Sequence, residues 1–283
     1  MTKGCHWKNC DGKTRAFVEQ ACTLLKEHLE KNLQSIILHG SLAHGCYYLP
    51  KSDIDLLIIV KNPLDENIAH HLMKDLALLN GNRPHTGSLE LSIILEKIAK
   101  HPDHPVSFEL HFSEELISSI LNETYDYNKR DKQDADLSAH LTVARAKGIS
   151  LHGPIPNEII NPVKWENFMS AIDDGDLSWI LEGENILTTP FYSVLNACRT
   201  IMTKKMGEGT VVSKEEGAMW ALENFPSNTH FVILQALKAY QCSDPVLPEK
   251  RRTNGMEWDR DSLLAFRDVV IALNAPSVPS GSP

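Results

Sequence analysis

Apolar residues recur at two different spacings along the first half of the chain. In 15–31, Phe17, Ala21 and Leu25 share one helical face, and a second helical pattern covers 64–79. Short apolar runs at 35–38 and 56–60 are typical of strands. Apolar and polar residues alternate in 88–96, which predicts a strand with Glu90 on the face opposite its leucines. This order of helices and strands indicates an α/β or α+β fold.

The second half of the chain is helical by the same criterion. Helical spacing occurs at 136–147, 165–182, 191–206, 213–225, 228–241 and 258–273, whereas 97–135 is polar and gives no assignment. The segment GPIPNEIINPVKW, 153–165, holds three prolines and is predicted to be a linker. We therefore predict an α+β protein with one domain over 1–160, a helical domain over 161–274 and a disordered tail over 275–283.

Composition narrows the classes of partner. The 283 residues carry a formal net charge of −9, which disfavours nucleic acid and anionic membranes and suits a cationic substrate. No apolar run approaches the ~20 residues of a membrane-spanning helix, and the polar N-terminus is unlike a signal peptide. The six cysteines are scattered, and Cys5-His6…Cys10 lacks a second ligand pair for zinc. We expect reduced thiols and a cytoplasmic protein.

Two short motifs flank the connection between the first two strands. Gly40-Ser41 follows the first strand, and Asp53-Ile54-Asp55 leads into the second. Residues i and i+2 of a strand point the same way, so the two aspartates repel each other unless a cation lies between them. Mg²⁺ prefers such oxygen ligands. Glycine lets the backbone come close to a ligand, and the serine adds a hydroxyl donor, so Gly40-Ser41 suits a phosphate.

This combination of motifs resembles the nucleotidyltransferase superfamily that includes DNA polymerase β. There the Gly-Ser turn grips the triphosphate and the two aspartates hold metal. The superfamily also implies a third acid from a neighbouring strand. Glu90, the polar break in an apolar strand, fits this position, and Glu109 in SFELHF is a rival in a similar setting.

Further stretches follow in an order that resembles one family within that superfamily, the aminoglycoside 3″/9 adenylyltransferases. They are HGSLAHGCYYLPKSDIDLLIIV, SLELSII, FELHFSEE, DADLSAHLTVARAKGISLHGPIP, LNACRTI, VVSKEEGAMWALENFP and LKAY. The resemblance implies a nucleotidyltransferase domain with a small mixed sheet and flanking helices, then a helical bundle, with ATP and drug between them. It assigns metal binding to Asp53 and Asp55 and the catalytic base to Glu90. The nucleotide positions it implies, with Gly40, are Ser41, Ser52, Asp136, Arg199, Lys214 and Tyr240.

The chain departs from the family where the drug is contacted. Streptomycin-accepting members carry a tryptophan where this chain has Glu115, and two aspartates where it has Asn185 and Thr189. The resemblance therefore implies spectinomycin rather than streptomycin as the acceptor. The residues expected to contact the acceptor are Glu90, Glu109, Glu115, Asn185 and Thr189.

Together these observations indicate a Mg²⁺-dependent enzyme that transfers AMP from ATP to a hydroxyl of an aminoglycoside-type antibiotic and releases pyrophosphate. We expect a monomer that binds neither nucleic acid nor membrane. Two alternatives stay open. The acceptor could be something other than a drug, or the protein could be a relic that binds nucleotide without transferring it.

Overall fold

The computed structural model describes residues 4–127 and 132–275, so all but the first residue of the predicted tail lies outside the described part. The chain forms two compact units. The first takes in the residues up to Ile172 together with Gln241–Pro245, and the second comprises Asp173–Tyr240 and the residues from Val246 onward. The sequence placed its domain boundary at 160/161.

The described part of the first unit contains a mixed sheet of five strands and an antiparallel sheet of two strands. Its strands are β1 (Leu33–His39), β2 (Ile54–Val60), β3 (Leu89–Leu95), β4 (Val106–Ser107), β5 (Leu110–Phe112), β6 (Gln133–Asp134) and β7 (Ile149–His152). The main sheet has the order β5-β3-β2-β1-β7, in which β2 and β3 are parallel and the other pairs are antiparallel. Strands β4 and β6 form a separate pair.

Helices surround the main sheet and make up the second unit. The α-helices are α1 (Gly12–Leu29), α2 (Gly40–His44), α3 (Glu66–Gly81), α4 (Glu96–Lys100), α5 (Ile117–Leu121), α6 (Leu137–Lys147), α7 (Pro156–Ile159), α8 (Trp165–Met169), α9 (Ser178–Leu181), α10 (Pro190–Met206), α11 (Lys214–Asn224), α12 (His230–Gln241) and α13 (Arg260–Asn274). A π-helix covers Ser170–Leu177. Short 3₁₀ helices occur at Trp7–Asn9, Glu30–Asn32, Glu114–Leu116, Asn185–Leu187, Ser227–Thr229 and Pro248–Lys250.

The main sheet is buried on both faces, which explains its nearly continuous apolar strands. On one face, Leu56 and Ile58 of β2 pack with α1 and α3 through residues such as Leu25 and Leu72. On the other face, Leu57 packs in a second core with residues of α6 and α7. The alternating residues of β3 divide in the same way, with Leu91 in the first core and Ile94 in the second. The predicted α+β class and mixed sheet are thus confirmed.

Two polar or proline-rich segments are more ordered than their composition suggests. The unassigned stretch 97–135 contains α4, β4, β5, α5 and β6. The predicted linker, 153–165, contains α7, and its Ile159 and Ile160 are buried in the second core. Burial of these two isoleucines fixes the segment, whereas its prolines and glycine dominate the sequence pattern.

The helix predicted over 165–182 is not continuous. It is divided into α8, the π-helix Ser170–Leu177 and α9. The π-helical part contains Gly175 and three aspartates, all weak helix formers, so the local sequence does not enforce α-helical hydrogen bonding there.

The second unit packs α10, α11, α12 and α13 around its own apolar core. A polar cluster ties distant parts of this unit together. Lys204 of α10 pairs with Asp173 and donates to Asn274 Oδ1 at 2.6 Å, and Asn274 Nδ2 donates to Asp173 Oδ1 at 3.2 Å. No helix within the described ranges, 4–127 and 132–275, is long and apolar enough to cross a membrane.

Two leucines of α3 allow a matched test of the packing on the first face of the sheet. Leu72 is 0% exposed in the first core, whereas Leu78 on the same helix is 55% exposed. We expect Leu72→Ala to lower the free energy of unfolding by about 2–5 kcal/mol, because it removes buried apolar contacts and leaves a cavity. Leu78→Ala should change it by less than about 0.5 kcal/mol. Urea unfolding followed by circular dichroism measures both, and equal losses would contradict this packing.

Candidate active site

Three ionisable residues lie in a row at one end of the three central strands of the main sheet. His39 ends β1 and pairs in register with Asp55 of β2, which pairs in turn with Glu90 of β3. Neighbouring strands lie ~4.8 Å apart, so the two carboxyl groups are close neighbours. Asp55 and Glu90 are partly exposed and His39 is buried. Since β3 lies between β2 and β5, Glu90 is not on an edge strand.

The turn after β1 approaches Asp55 more closely than any side chain would allow. Gly40 has a φ of +63°, and a Cβ atom on it would lie 1.9 Å from Asp55 Oδ2. Gly40 opens the short helix α2, and Ser41 follows in its first turn. The Gly-Ser motif and the second aspartate of the Asp-x-Asp motif are therefore brought together, as the sequence predicts.

The row of His39, Asp55 and Glu90 lines a small cleft. The other residues that line it are Ser92 of β3, His111 of β5, His140 of α6, and Leu56 and Leu91. Ser92 Oγ and His111 Nδ1 are hydrogen-bonded at 3.0 Å, and the rings of His39 and His140 lie 5.2 Å apart. The cleft is thus lined by two carboxyl groups and three histidines.

Two histidines of the cleft differ in charge because their surroundings differ. Burial lowers the pKa of His39 to about 3, and the neighbouring His140 adds to this effect, so His39 is neutral near pH 7. Burial alone would also lower the pKa of His140. However, Asp136, whose Oδ2 lies 3.1 Å from His140 Nε2, together with Asp55 and Glu90, raises the pKa to about 9. His140 is therefore an imidazolium beside the acidic pair.

Asp53 lies directly before β2 and is held by the backbone. Its Oδ1 accepts a hydrogen bond from Ser88 N at 2.7 Å, just before β3 begins. Ser52 Oγ accepts from Tyr48 N at 3.0 Å. The carboxylate and the hydroxyl thus help to fix the loop that leads into β2.

The remaining acids expected near the acceptor lie elsewhere in the first unit. Glu109 Oε2 accepts a hydrogen bond from Leu64 N at 3.1 Å, and Glu109 does not line the cleft. Glu115 lies in an exposed 3₁₀ helix beside Glu114, which pairs with Arg83 at 2.7 Å. Of the two candidates for a third acid, Glu90 is the one that the structure places next to Asp55.

The remaining predicted residues belong to the second unit. Arg199 is partly buried on α10, and a Cβ atom on Gly217 of α11 would lie 2.6 Å from Arg199 Cα, so α10 and α11 pack backbone to backbone there. Lys214 is the first residue of α11 and lies within a capping box, in which Ser213 N donates to Glu216 Oε2 at 2.7 Å. Tyr240 packs against the core of this unit.

The two neutral positions that replace aspartates also make local contacts. Asn185 Nδ2 donates to Trp179 O at 2.9 Å, and Thr189 Oγ1 is hydrogen-bonded to Ser193 Oγ at 3.1 Å. Thr189 lies at the N-cap of α10 but does not cap it with its side chain. Neither position carries a charge that could attract a cation.

The described residues contain no cluster of three or more His, Cys, Asp or Glu side chains arranged to hold a metal. The carboxylates of Asp53, directly before β2, and Asp55, the second residue of β2, nevertheless provide the oxygen donors that Mg²⁺ prefers, and phosphate oxygens can complete such a site. The donor chemistry thus fits the metal that the motif predicts.

Sequence reasoning missed the histidines of the cleft. His39 precedes Gly40 directly, so its place at the end of the first strand was a usable signal. His140 lies four residues after Asp136 at the start of a predicted helix, a spacing that brings two side chains together. His111 lies in the strand-like stretch SFELHF, but no signal in the sequence indicated that this stretch pairs with β3.

Two family models match successive parts of the chain. A nucleotidyltransferase domain matches residues 21–130, and an aminoglycoside adenylyltransferase C-terminal domain matches residues 158–264. Together they cover the strands that carry the acidic row and most of the helical unit.

Individual relatives support the same assignment. An aminoglycoside (3″)(9) adenylyltransferase of Klebsiella pneumoniae is 27% identical over 81% of this chain and 86% of its own length. A spectinomycin 9-adenylyltransferase of Enterococcus faecalis is 25% identical over 77% of this chain and 83% of its own length.

A solved structure shares the fold. The Enterococcus spectinomycin adenyltransferase, crystallised with ATP and spectinomycin, superposes with a TM-score of 0.73 at 21% identity, covering 91% of this chain and 99% of that one. The two domain matches in series and the relatives aligned over 77–81% of the chain show that it belongs to the aminoglycoside (3″)(9) adenylyltransferase family of nucleotidyltransferases.

Proposed function

We propose that this protein transfers AMP from ATP to a hydroxyl group of an aminoglycoside-type antibiotic and releases pyrophosphate. The observation that carries the proposal is the pairing of Asp55 with Glu90 in adjacent strands, facing a cleft beside the Gly40-Ser41 turn. The relatives named above support the same reaction class, since their names specify adenylyl transfer to aminoglycosides or spectinomycin.

Glu90 is proposed as the general base. Its carboxylate accepts the proton of the acceptor hydroxyl as the oxygen attacks the α-phosphorus of ATP in line. The bond from the α-phosphorus to the bridging oxygen breaks, and pyrophosphate leaves with the electron pair. The imidazolium of His140 beside this carboxylate favours its ionised form, which is the form that a base requires.

Other residues of the chain bind and orient the nucleotide. Gly40 brings the backbone close, and Ser41 provides a hydroxyl donor for phosphate oxygens. Asp53 and Asp55 would hold Mg²⁺, which when bound neutralises negative charge on the triphosphate.

Positive charge for the phosphates comes from Arg199 and Lys214. The close packing of α10 on α11 at Gly217 sets these two cations on adjoining helices of the second unit. We assign Ser52, Asp136 and Tyr240 to the nucleotide on the strength of the family motifs alone.

The acceptor is proposed to be spectinomycin rather than streptomycin. Asn185 and Thr189 are neutral and already engaged in local hydrogen bonds, so they offer no carboxylate to a strongly cationic drug. Glu115 is an exposed carboxylate where streptomycin-accepting members carry an aromatic ring. Glu109 is part of the proposed acceptor-contacting set, although its carboxylate also binds the backbone of Leu64.

The base assignment is tested by Glu90→Gln, which keeps the shape of the side chain but cannot accept the proton. We expect AMP transfer to fall by roughly 10²–10⁴-fold, with ATP affinity changed only a few-fold. Glu27→Gln on the exposed face of α1 is the matched control and should behave like the wild type. Transfer is followed by label from α-labelled ATP in the product, and an active Glu90→Gln enzyme would disprove this role.

Acceptor preference is tested by pyrophosphate release from ATP and Mg²⁺ with spectinomycin, streptomycin, other aminoglycosides and a lincosamide. We expect release with spectinomycin, and kcat/KM for streptomycin at least about 10-fold lower, because the carboxylates that would bind its cationic groups are absent. Equal turnover of both drugs would contradict the preference. Binding of ATP without release for any acceptor would instead support the non-drug acceptor or the nucleotide-binding relic.

A further inference from the structure

Lys214 occupies an electrostatically unfavourable position. It is the first residue of α11, where the backbone N–H groups of the helix end give a partial positive charge that opposes an ammonium group. The capping box made by Ser213 and Glu216 satisfies the backbone there with hydrogen bonds of 2.7 and 3.1 Å. The cap stabilises the helix end, but it leaves the orientation of the lysine side chain to other contacts.

An aromatic ring provides such a contact. Lys214 Nζ lies 4.3 Å from the centre of the Tyr192 ring, within the range of a cation–π interaction. Tyr192 lies in the first turns of α10 and is 38% exposed, so the ring is accessible from solvent. Its face is electron-rich, and this partly offsets the effect of the helix end on the ammonium group.

The Tyr192 side chain makes a second contact through its hydroxyl group. The Tyr192 hydroxyl donates to Asp176 Oδ1 at 3.5 Å, and Asp176 lies in the π-helix Ser170–Leu177. A chain of contacts thus runs from the carboxylate of Asp176 through the tyrosine to the ammonium group of Lys214. All three residues belong to the second unit.

We propose that Tyr192 is a positioning residue that holds the ammonium group of Lys214 over its ring, ready for the phosphates of ATP. The inference rests on the proposed function, because that function assigns Lys214 to the triphosphate. Lysine side chains have many rotamers in solution, and binding a phosphate restricts them. A lysine already restricted by the ring loses less freedom when the nucleotide arrives, so the ring increases nucleotide affinity.

The expected effect is on nucleotide binding through Lys214. Tyr192→Leu removes the ring and should weaken ATP binding about two- to fivefold, the range expected for an exposed cation–π contact. Tyr192→Phe keeps the ring, loses the hydroxyl and its long hydrogen bond to Asp176, and should bind ATP within about twofold of the wild type. Affinity is measured by calorimetry on the full chain with ATP alone, and KM and kcat are then compared.

A double-mutant cycle separates positioning from simple structural support. In a Lys214→Gln background, Tyr192→Leu should cause no further loss of ATP affinity, because the ring acts only through the ammonium group. Losses that add in the double mutant would overturn the proposal, as would unchanged ATP affinity in Tyr192→Leu or a rise confined to the KM of the acceptor. If Tyr192→Leu does not fold, Tyr192→Met takes its place in the same cycle.

The proposal and the function on which it rests can fail separately. Coupling between Tyr192 and Lys214 in ATP binding, without AMP transfer to any antibiotic by the wild type, would overturn the function and retain the positioning role. Wild-type ATP affinity in Lys214→Gln would remove the assignment of Lys214 and overturn the proposal. Transfer that depends on Glu90 would still stand in that case.

Discussion

The close approach between the carboxylate of Asp55 and the backbone of Gly40 is the constraint on which the site depends. A single methyl group at residue 40 would overlap Asp55 Oδ2. Because glycine has no side chain, the end of β1, the start of α2 and the beginning of β2 can approach one another closely. The register of β1 with β2, and of β2 with β3, then extends this meeting point to His39 and Glu90.

The positive charge beside the acids of the cleft comes from a helix and not from the strands that carry the acids. Both carboxylates of the row come from the sheet, whereas the imidazolium comes from His140 on α6, which covers the sheet at this point. Asp136, at the N-cap of α6, turns its side chain to His140 instead of capping the helix. The helix thus contributes an electrostatic partner for the acids as well as apolar residues for the second core.

Features of the fold and the candidate site could be predicted from the sequence where a short stretch of chain determines them. Asp55 and Glu90 follow from strand periodicity, as polar residues in apolar strands, and Gly40 follows from the Gly-Ser motif directly after the first strand. The capping box at Ser213 is equally local, because its serine and glutamate lie within one helical turn. His111 and the burial of Ile159 were not predictable, because both depend on which strand or helix packs against them. The contact between Lys214 and Tyr192 depends on how two successive helices pack against each other, so it also needed the structure.

The π-helix Ser170–Leu177 connects residues that pack in two different apolar cores. Phe168, Ala171 and Ile172 pack in a cluster with Ala139 of the first unit, whereas Leu177 and Ile180 lie in the core of the second. Apolar side chains thus hold the segment Ser170–Leu177 at both of its ends. This anchoring keeps it ordered although its glycine and three aspartates favour helix only weakly.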